Sequence, residues 1–185
     1  MSEKKTMRKF LQAKREALSL EFVQAAALII VEKIKQREDF SSATTIAVYA
    51  SFQNEVPTRL LIEFLLAEKK TVVLPVIKNQ RMEFYLYREN GMLKNRYGIS
   101  EPDPGCSEKI DLTACDLIVV PGVAFDARGG RIGRGGGFYD RALAGVAART
   151  QRPRLVGLAY DFQMIDDCYV EAHDVLLDEV IIAAE

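Results

Sequence analysis

The sequence predicts a single α/β domain with a largely parallel sheet covered by helices on both faces. Three observations carry that expectation. Short apolar strand-like runs recur along the chain, segments of helical period lie between them, and 185 residues suffice for one good-sized core but not two. No internal repeat or low-complexity linker interrupts the pattern, so residues 1–185 are expected to form one domain.

The elements follow in order. Met7, Phe10, Leu11, Lys14 and Leu18 recur at spacings of three and four, which predicts an amphipathic helix over 3–18. Ser19 is placed to cap a second helix through LEFVQAAALIIVEKIKQ. The period then changes: TIAVYA (45–50) is small and β-branched and reads as a buried strand. Pro57 is expected at the first position of a third helix, PTRLLIEFLLAEKK, where its fixed φ is favourable. TVVLPVI (71–77) reads as a strand that Pro75 should end, and MEFYLY (82–87) as a more exposed one. Residues 88–113 are turn-rich and read as a long surface loop. DLIVVPGVAF (116–125) is a strand leading straight into a glycine cluster, FYDRALAGVAAR a helix, RLVGLAY a strand and DEVIIAA a closing strand.

Composition excludes several classes. Hydrophobic residues make up 49% and charged residues 28%, which describes a soluble globular enzyme or binding domain rather than a disordered chain. A formal net charge of −1 gives no broad attraction to nucleic acid or anionic membrane, so any anion site must be local. Three cysteines without a C-x-x-C pair argue for reduced thiols, against both a disulfide scaffold and a thiolate zinc site. The single histidine, His173, excludes a multi-histidine centre and is expected to be structural; a catalytic metal would have to be a hard cation, magnesium above all. The N-terminus lacks the apolar run of a signal peptide. LIVVPGVAF (117–125) is too short for a membrane span and is broken by Pro121 and Gly122, so a cytoplasmic protein is expected.

RGGRIGRGGGFYDR (128–141) concentrates the chemistry. Six of the twelve glycines fall within Gly129–Gly137, between a strand and a helix. Backbone amides at a helix N-terminus can curl around phosphate oxygens, with Arg131 and Arg134 adding charge-assisted bonds. The run is neither a Walker A loop nor a dinucleotide fingerprint, because no G-x-x-x-x-G-K-[ST] occurs and Phe138 stands where a third glycine is required. A structural turn is the alternative. A disordered arm is disfavoured by the packing-prone segments on either side.

Other candidates are individually weaker. Asp140 sits one turn into the following helix, near where a phosphate-bound cation would lie, or it simply stabilises the helix start. Asp174, in EAHD, offers a second carboxylate. Glu55, in ASFQNEVPT, follows a buried strand, at the sheet edge where open α/β folds bind ligands; surface solvation is the alternative. Lys4 and Arg8 share a helix face as a possible phosphate clamp or as solvated charges.

Taken together, PGVAFDARGGRIGRGGGFYDR, KKTMR, SFQNEVPT, YGISEP, GLAYDFQ and HDVLLDEVI, in this order and over nearly the whole chain, resemble the 5-formyltetrahydrofolate cyclo-ligase family. The resemblance implies a fold similar to the sugar-phosphate isomerase and CoA-transferase group. It implies ATP- and magnesium-dependent cyclisation of 5-formyltetrahydrofolate to 5,10-methenyltetrahydrofolate through a phosphorylated formyl group, by a monomer needing neither nucleic acid nor membrane. It assigns Lys4, Lys5, Thr6, Met7 and Arg8, with Arg131, Ile132, Gly133, Arg134, Gly135, Gly136, Gly137, Phe138 and Tyr139, to ATP. Ala50, Glu55 and Arg134 through Phe138 are assigned to folate, Arg134 and Tyr139 to catalysis, and Asp140 and Asp174 to Mg2+. Two positions depart from the family pattern: Phe138 stands for the commoner tyrosine, and Ala50 for a larger apolar residue. The competing readings are an isomerase or acyl-CoA transferase of similar fold, which would ignore ATP, and a single-strand-binding protein using the Arg/Gly segment.

Overall fold

The computed structural model describes residues 3–95 and 98–184. Helix α1, Glu3–Glu16, has Glu3 in its first turn and Lys14 and Arg15 in its last, the polarity the helix dipole favours. Its inward stripe is Lys4, Met7, Arg8, Leu11 and Arg15; Phe10 and Lys14, expected on that stripe, face outward. Helix α2, Leu20–Lys35, starts at Ser19, whose hydroxyl accepts the Phe22 N–H at 3.2 Å. It buries Val23, Ala26, Ala27, Ile30, Val31 and Ile34, the repeat of a helix lying on a core. A short helix α3, Glu38–Ser42, has no counterpart in the sequence reading: five residues are too few to display a period.

The strands are β1 Thr45–Ala47, β2 Thr71–Lys78, β3 Arg81–Leu86, β4 Met92–Lys94, β5 Ser100–Pro102, β6 Leu117–Val120, β7 Ala124–Phe125, β8 Arg131–Ile132, β9 Arg154–Ala159 and β10 Glu179–Ile182. Helix α4, Arg59–Ala67, follows β1, and helix α5, Phe138–Ala147, precedes β9. Six strands form the main sheet in the order β10-β9-β6-β1-β2-β3, all parallel except β3.

Both sheet faces are buried, and alternate residues serve opposite sides. Ile46, Val72, Leu74, Leu117, Val119, Val156 and Leu158 pack with Ile30, Ile34, Leu61 and Leu65 of α2 and α4. Ala47, Val73, Ile118, Val120, Leu155 and Ala159 pack with Leu143 and Val146 of α5. Strands buried in this way read as continuous apolar runs without alternation.

Four boundaries differ from expectation. Pro57 precedes the cap Thr58 rather than opening α4. Pro75 does not end β2; it pairs with Phe84 of β3, and β1 pairs with β2 only over Thr71–Val73, so the ladder on that side has already stopped. The DLIVVPGVAF run is two strands, because the chain leaves the sheet after Val120 and starts a hairpin of β7 with β8. The 88–113 segment is not all loop: β4 and β5 pair antiparallel within it. Tyr97 of the YGISEP motif lies outside the described residues.

Candidate active site

The sheet order defines a topological switch. From β1 the chain proceeds to β2 on one side, then returns to place β6 on the other. Loops leaving the carboxyl ends of two such strands diverge and open a crevice, the usual ligand position in open α/β sheets. Here those loops are residues 48–58 after β1 and 121–137 after β6. They carry Glu55 and the glycine cluster respectively.

The loop after β1 is held by its own polar groups. The Thr58 hydroxyl donates to the Tyr49 carbonyl at 2.6 Å and accepts from Ser51 N at 3.2 Å, while Tyr49 Oη donates to Val56 O at 2.8 Å. Gln53 and Asn54 both have left-handed backbones, with φ of 51° and 53°, and the turn they form is closed by Glu55 N donating to Phe52 O. That turn aims the Glu55 carboxylate inward. Its Oε2 accepts Phe52 N at 3.0 Å, and its Oε1 lies 3.0 Å from Arg134 Nη2 and 3.9 Å from Arg15 Nη1. Ala50 is half-buried at the base of the same loop.

Arg134 spans the crevice. It donates to Glu55 Oε1, to Gln53 Oε1 at 2.7 Å and to Phe52 O at 3.0 Å, and its guanidinium stands 5.2 Å from the centre of the Phe52 ring. The loop bearing it is shaped by two glycines in particular. Gly129 has φ +84°, and a Cβ there would collide with Leu177 O, so only glycine lets the hairpin turn dock on the segment before β10. Gly137, φ +61°, caps α5 in the left-handed region, and its carbonyl accepts Arg141 N. Gly135 and Gly136 are exposed; Phe138 is half-buried beneath the Arg141 guanidinium.

Arg131 has a different environment. It is buried, donates to Pro121 O at 3.2 Å and to Asp140, and leaves its Nε without a hydrogen-bond partner among the described residues. Its neighbour Ile132 is fully buried. The Tyr139 ring lies 5.8 Å from the Arg131 guanidinium, and its buried hydroxyl likewise has no hydrogen-bond partner among the described residues. Burial, reinforced by Glu55, pushes that phenol well above its ordinary value, so it remains protonated at physiological pH.

Helix α1 closes one side. Met7 and Leu11 pack against Val123, Ala124 and Ile132 of the hairpin region. That docking brings Arg8 Nε to Gly133 O at 2.7 Å and Lys4 Nζ to Asp174 Oδ2 at 2.7 Å. Lys5 and Thr6 are exposed on the far side. Burial works against charge on both members of the Lys4–Asp174 pair, yet their mutual bond and charge, together with Glu171, outweigh it: Lys4 is raised and Asp174 lowered from their ordinary values. Asp140 and Asp174 thus each hold a different cation, Arg131 and Lys4. No group of three or more metal-ligating side chains occurs among the described residues.

Sequence reasoning missed several residues that shape this region. Asp126 is buried and accepts backbone N–H groups from Arg128, Gly130 and Cys168, all at 2.9 Å. Burial alone would raise its pKa, but these amide bonds hold it below the ordinary value. Gln163 ties Tyr160 N to the carbonyls of Gly122 and Val123. Arg15 is buried beside Glu55. Of these only Arg15 left a signal: positions 4, 8, 11 and 15 form one helical stripe carrying three cations.

The fold is that of an α/β enzyme, and beside its switch point two arginines, one from α1 and one from the glycine loop, address one buried carboxylate. A model of the 5-formyltetrahydrofolate cyclo-ligase family matches residues 1–183. The chain is 36% identical over 153 residues to a 5-formyltetrahydrofolate cyclo-ligase from Haemophilus influenzae, covering 80% of this chain and 79% of that one. Identity to the Escherichia coli K12 protein of the same name is 33% over 175 residues, covering 92% and 95%. Among solved structures, the 5,10-methenyltetrahydrofolate synthetase of Aquifex aeolicus superposes with a TM-score of 0.86 at 29% identity, covering 100% of this chain and 91% of that one. The Mycoplasma pneumoniae synthetase gives 0.76 at 26% identity, covering 97% and 98%. The chain belongs to the 5-formyltetrahydrofolate cyclo-ligase family.

Proposed function

We infer that this crevice carries out the family's reaction, the ATP-dependent cyclisation of 5-formyltetrahydrofolate to 5,10-methenyltetrahydrofolate with release of ADP and phosphate. The observation that carries the reading is the Arg134–Glu55 bridge, because it joins the glycine loop to the loop after β1 across the switch point. A phosphate-binding segment and a carboxylate suited to donor nitrogens then face one space. A sugar-phosphate isomerase or acyl-CoA transferase would use neither an ATP loop nor this family pattern, and a net charge of −1 disfavours a single-strand-binding role.

The formyl oxygen is a poor leaving group. In our reading it attacks the γ-phosphorus of ATP, ADP departs, and the resulting iminium phosphate carries an activated carbon. The folate N10 attacks that carbon, N10 gives up its proton, and phosphate leaves with the former formyl oxygen. Such chemistry asks the protein for positioning and charge neutralisation rather than a nucleophilic side chain. Lys4, Arg8 and Arg134 are assigned to the phosphates, with the Gly133–Gly137 backbone beside them. Glu55 is assigned to the N–H donors of the pterin, with Ala50 at the loop's base. Tyr139 brings a protonated, buried hydroxyl that has no hydrogen-bond partner among the described residues.

Asp140 and Asp174 are hard oxygen donors of the kind that hold magnesium, which typically takes one or two carboxylates and keeps several waters. Each is paired with a protein cation, Arg131 or Lys4, so magnesium bound there would share a carboxylate with that cation while neutralising phosphate charge. No helix among the described residues is long and apolar enough to cross a membrane. We place the enzyme in the cytoplasm, a reading supported by its three free cysteines, and take it to act as a monomer on small molecules, the near-zero net charge offering no broad attraction to a polyanion.

The test is direct. Purified protein with 5-formyltetrahydrofolate and Mg-ATP should develop methenyl absorbance, with ADP formed one-for-one. Full-rate product without nucleotide, or no product at all, refutes the reading. Glu55→Ala should weaken folate binding while leaving ATP affinity intact; unchanged folate affinity would remove Glu55 from the substrate site.

A further inference from the structure

The Glu55 carboxylate has two arginines and one oxygen between them. Oε2 is occupied by the Phe52 amide, so Arg134 and Arg15 both address Oε1, at 3.0 Å and 3.9 Å. Their situations are opposite. Arg134 is 37% exposed in its side chain, sits on a loop with φ of +96° at Gly135 and +61° at Gly137, and makes three further contacts to Phe52 and Gln53. Arg15 is 3% exposed, on a packed helix, and neither its Nε nor its Nη1 has a hydrogen-bond partner among the described residues.

A buried guanidinium with idle donors is costly, and an uncompensated buried carboxylate equally so. Burial lowers the Arg15 pKa, Glu55 opposes that, and the nearby Arg134 charge adds to it. The two arginines therefore compete for Glu55, and the exposed one now holds it. Any reaction in which Arg134 turns to a phosphoryl or formyl oxygen strips Glu55 of its nearer cation. At that moment Glu55 must still present an ordered carboxylate to the substrate's donors.

We propose that Arg15 is a positioning residue for Glu55: it takes over as countercharge when Arg134 leaves for the ligand, so the crevice alternates between an Arg134-held resting state and an Arg15-held bound state. The proposal rests on the assignment of Glu55 to the folate. It uses the idle Arg15 donors, the 3.9 Å gap that Arg134's departure allows to close, and the exposure of Arg134 on the glycine loop. Arg15 itself touches no reacting atom and acts only through Glu55.

The experiment compares wild type, Arg15→Met, Arg15→Gln and Arg15→Lys by steady-state kinetics, with ATP binding followed by calorimetry and folding by melting curves. The neutral variants should raise KM for 5-formyltetrahydrofolate about tenfold or more, the size of a lost charge-assisted contact, with ATP affinity unchanged and kcat much less affected. Arg15→Lys should recover part of the loss, since the ammonium restores charge but not the planar fork. Made in a Glu55→Gln background, Arg15→Gln should have little additional effect. A folate KM equal to wild type in both neutral variants overturns the proposal, as does an undiminished effect in the Glu55→Gln background. If Arg15→Met fails to fold, the Gln and Lys variants give the same decision. Failure of wild type to turn over the substrate would instead refute the parent assignment, so the two failures are separable.

Discussion

Replacing Asp126 with alanine should loosen the hairpin that carries Arg131 and anchors the glycine loop. Three backbone amides, of Arg128, Gly130 and Cys168, donate to its carboxylate at 2.9 Å. The Gly130 and Cys168 bonds are buried, so their amides would be left without an acceptor. An orphaned buried donor costs about 1–3 kcal/mol, giving roughly 3–5 kcal/mol for the two together with the weaker Arg128 bond. That is roughly a third to a half of the ~10 kcal/mol expected for a domain, and at about 2–4 °C per kcal/mol the melting temperature should fall by about 6–20 °C. Asp126→Asn should lose less, since one carbonyl oxygen can still serve two amides while the NH2 group confronts Cys168 N. Differential scanning calorimetry at neutral pH measures both. The carboxylate's lowered pKa adds a pH signature. Because the folded value lies below the unfolded one, the stabilisation is complete above about pH 5 and is lost as pH falls through the folded value. The wild-type advantage over Asp126→Ala should therefore shrink on acidification. A neutral-pH shift below about 2 °C, or a gap that widens in acid, would refute the reasoning.

Two further outcomes follow from the site. Lys4→Ala and Arg8→Ala should each weaken ATP by about ten- to a hundred-fold, the value of a lost charge-assisted contact, and normal calorimetric affinity in both would remove α1 from the nucleotide site. Asp140→Asn should stay folded, lose about 1–2 kcal/mol because Arg131 gives up a charged partner, and require much more magnesium at fixed ATP; an unshifted magnesium titration leaves Asp140 as the Arg131 partner alone.

The sequence displayed its fold well wherever burial was two-sided. The LIVV core of β6 was visible because each of its residues packs against one helical layer or the other, although the strand ends at Val120 rather than running on to Phe125. It failed where polar groups replace apolar contacts as the organising force. The hairpin of β7 and β8 is two residues on each strand, held by Asp126, and no periodicity reveals so short a pair. Pro75 misled because its tolerance depends on where β1 stops pairing, a fact of the neighbouring strand. In the site, local motifs drew attention to Glu55, Arg134, Lys4 and Asp174, but not to how they pair. Lys4 meets Asp174 and Arg134 meets Glu55 across 170 and 79 positions, distances at which no local pattern speaks. Arg15 left only its place on the cationic stripe of α1 as a signal, and a cation on a polar-looking helix reads as solvated until the packing around it is known.

The docking of α1 has a consequence for how the domain comes together. The grip of its first half on the rest of the chain is modest: Met7 and Leu11 on the hairpin, one bond from Arg8, and two from Lys4, to Asp174 and Glu171. The Lys4–Asp174 bond spans nearly the whole chain, so it can form only after the sheet is complete through the segment entering β10. The sheet can exist without this clasp, whereas the clasp cannot exist without the sheet. Helix α1 is accordingly placed to be the last unit to settle and the first to detach, at a free-energy cost well below that of global unfolding. Nucleotide that bridges α1 to the glycine loop would then act as the closing fastener of a nearly finished molecule, deepening the native basin by mass action while offering nothing to partly folded chains.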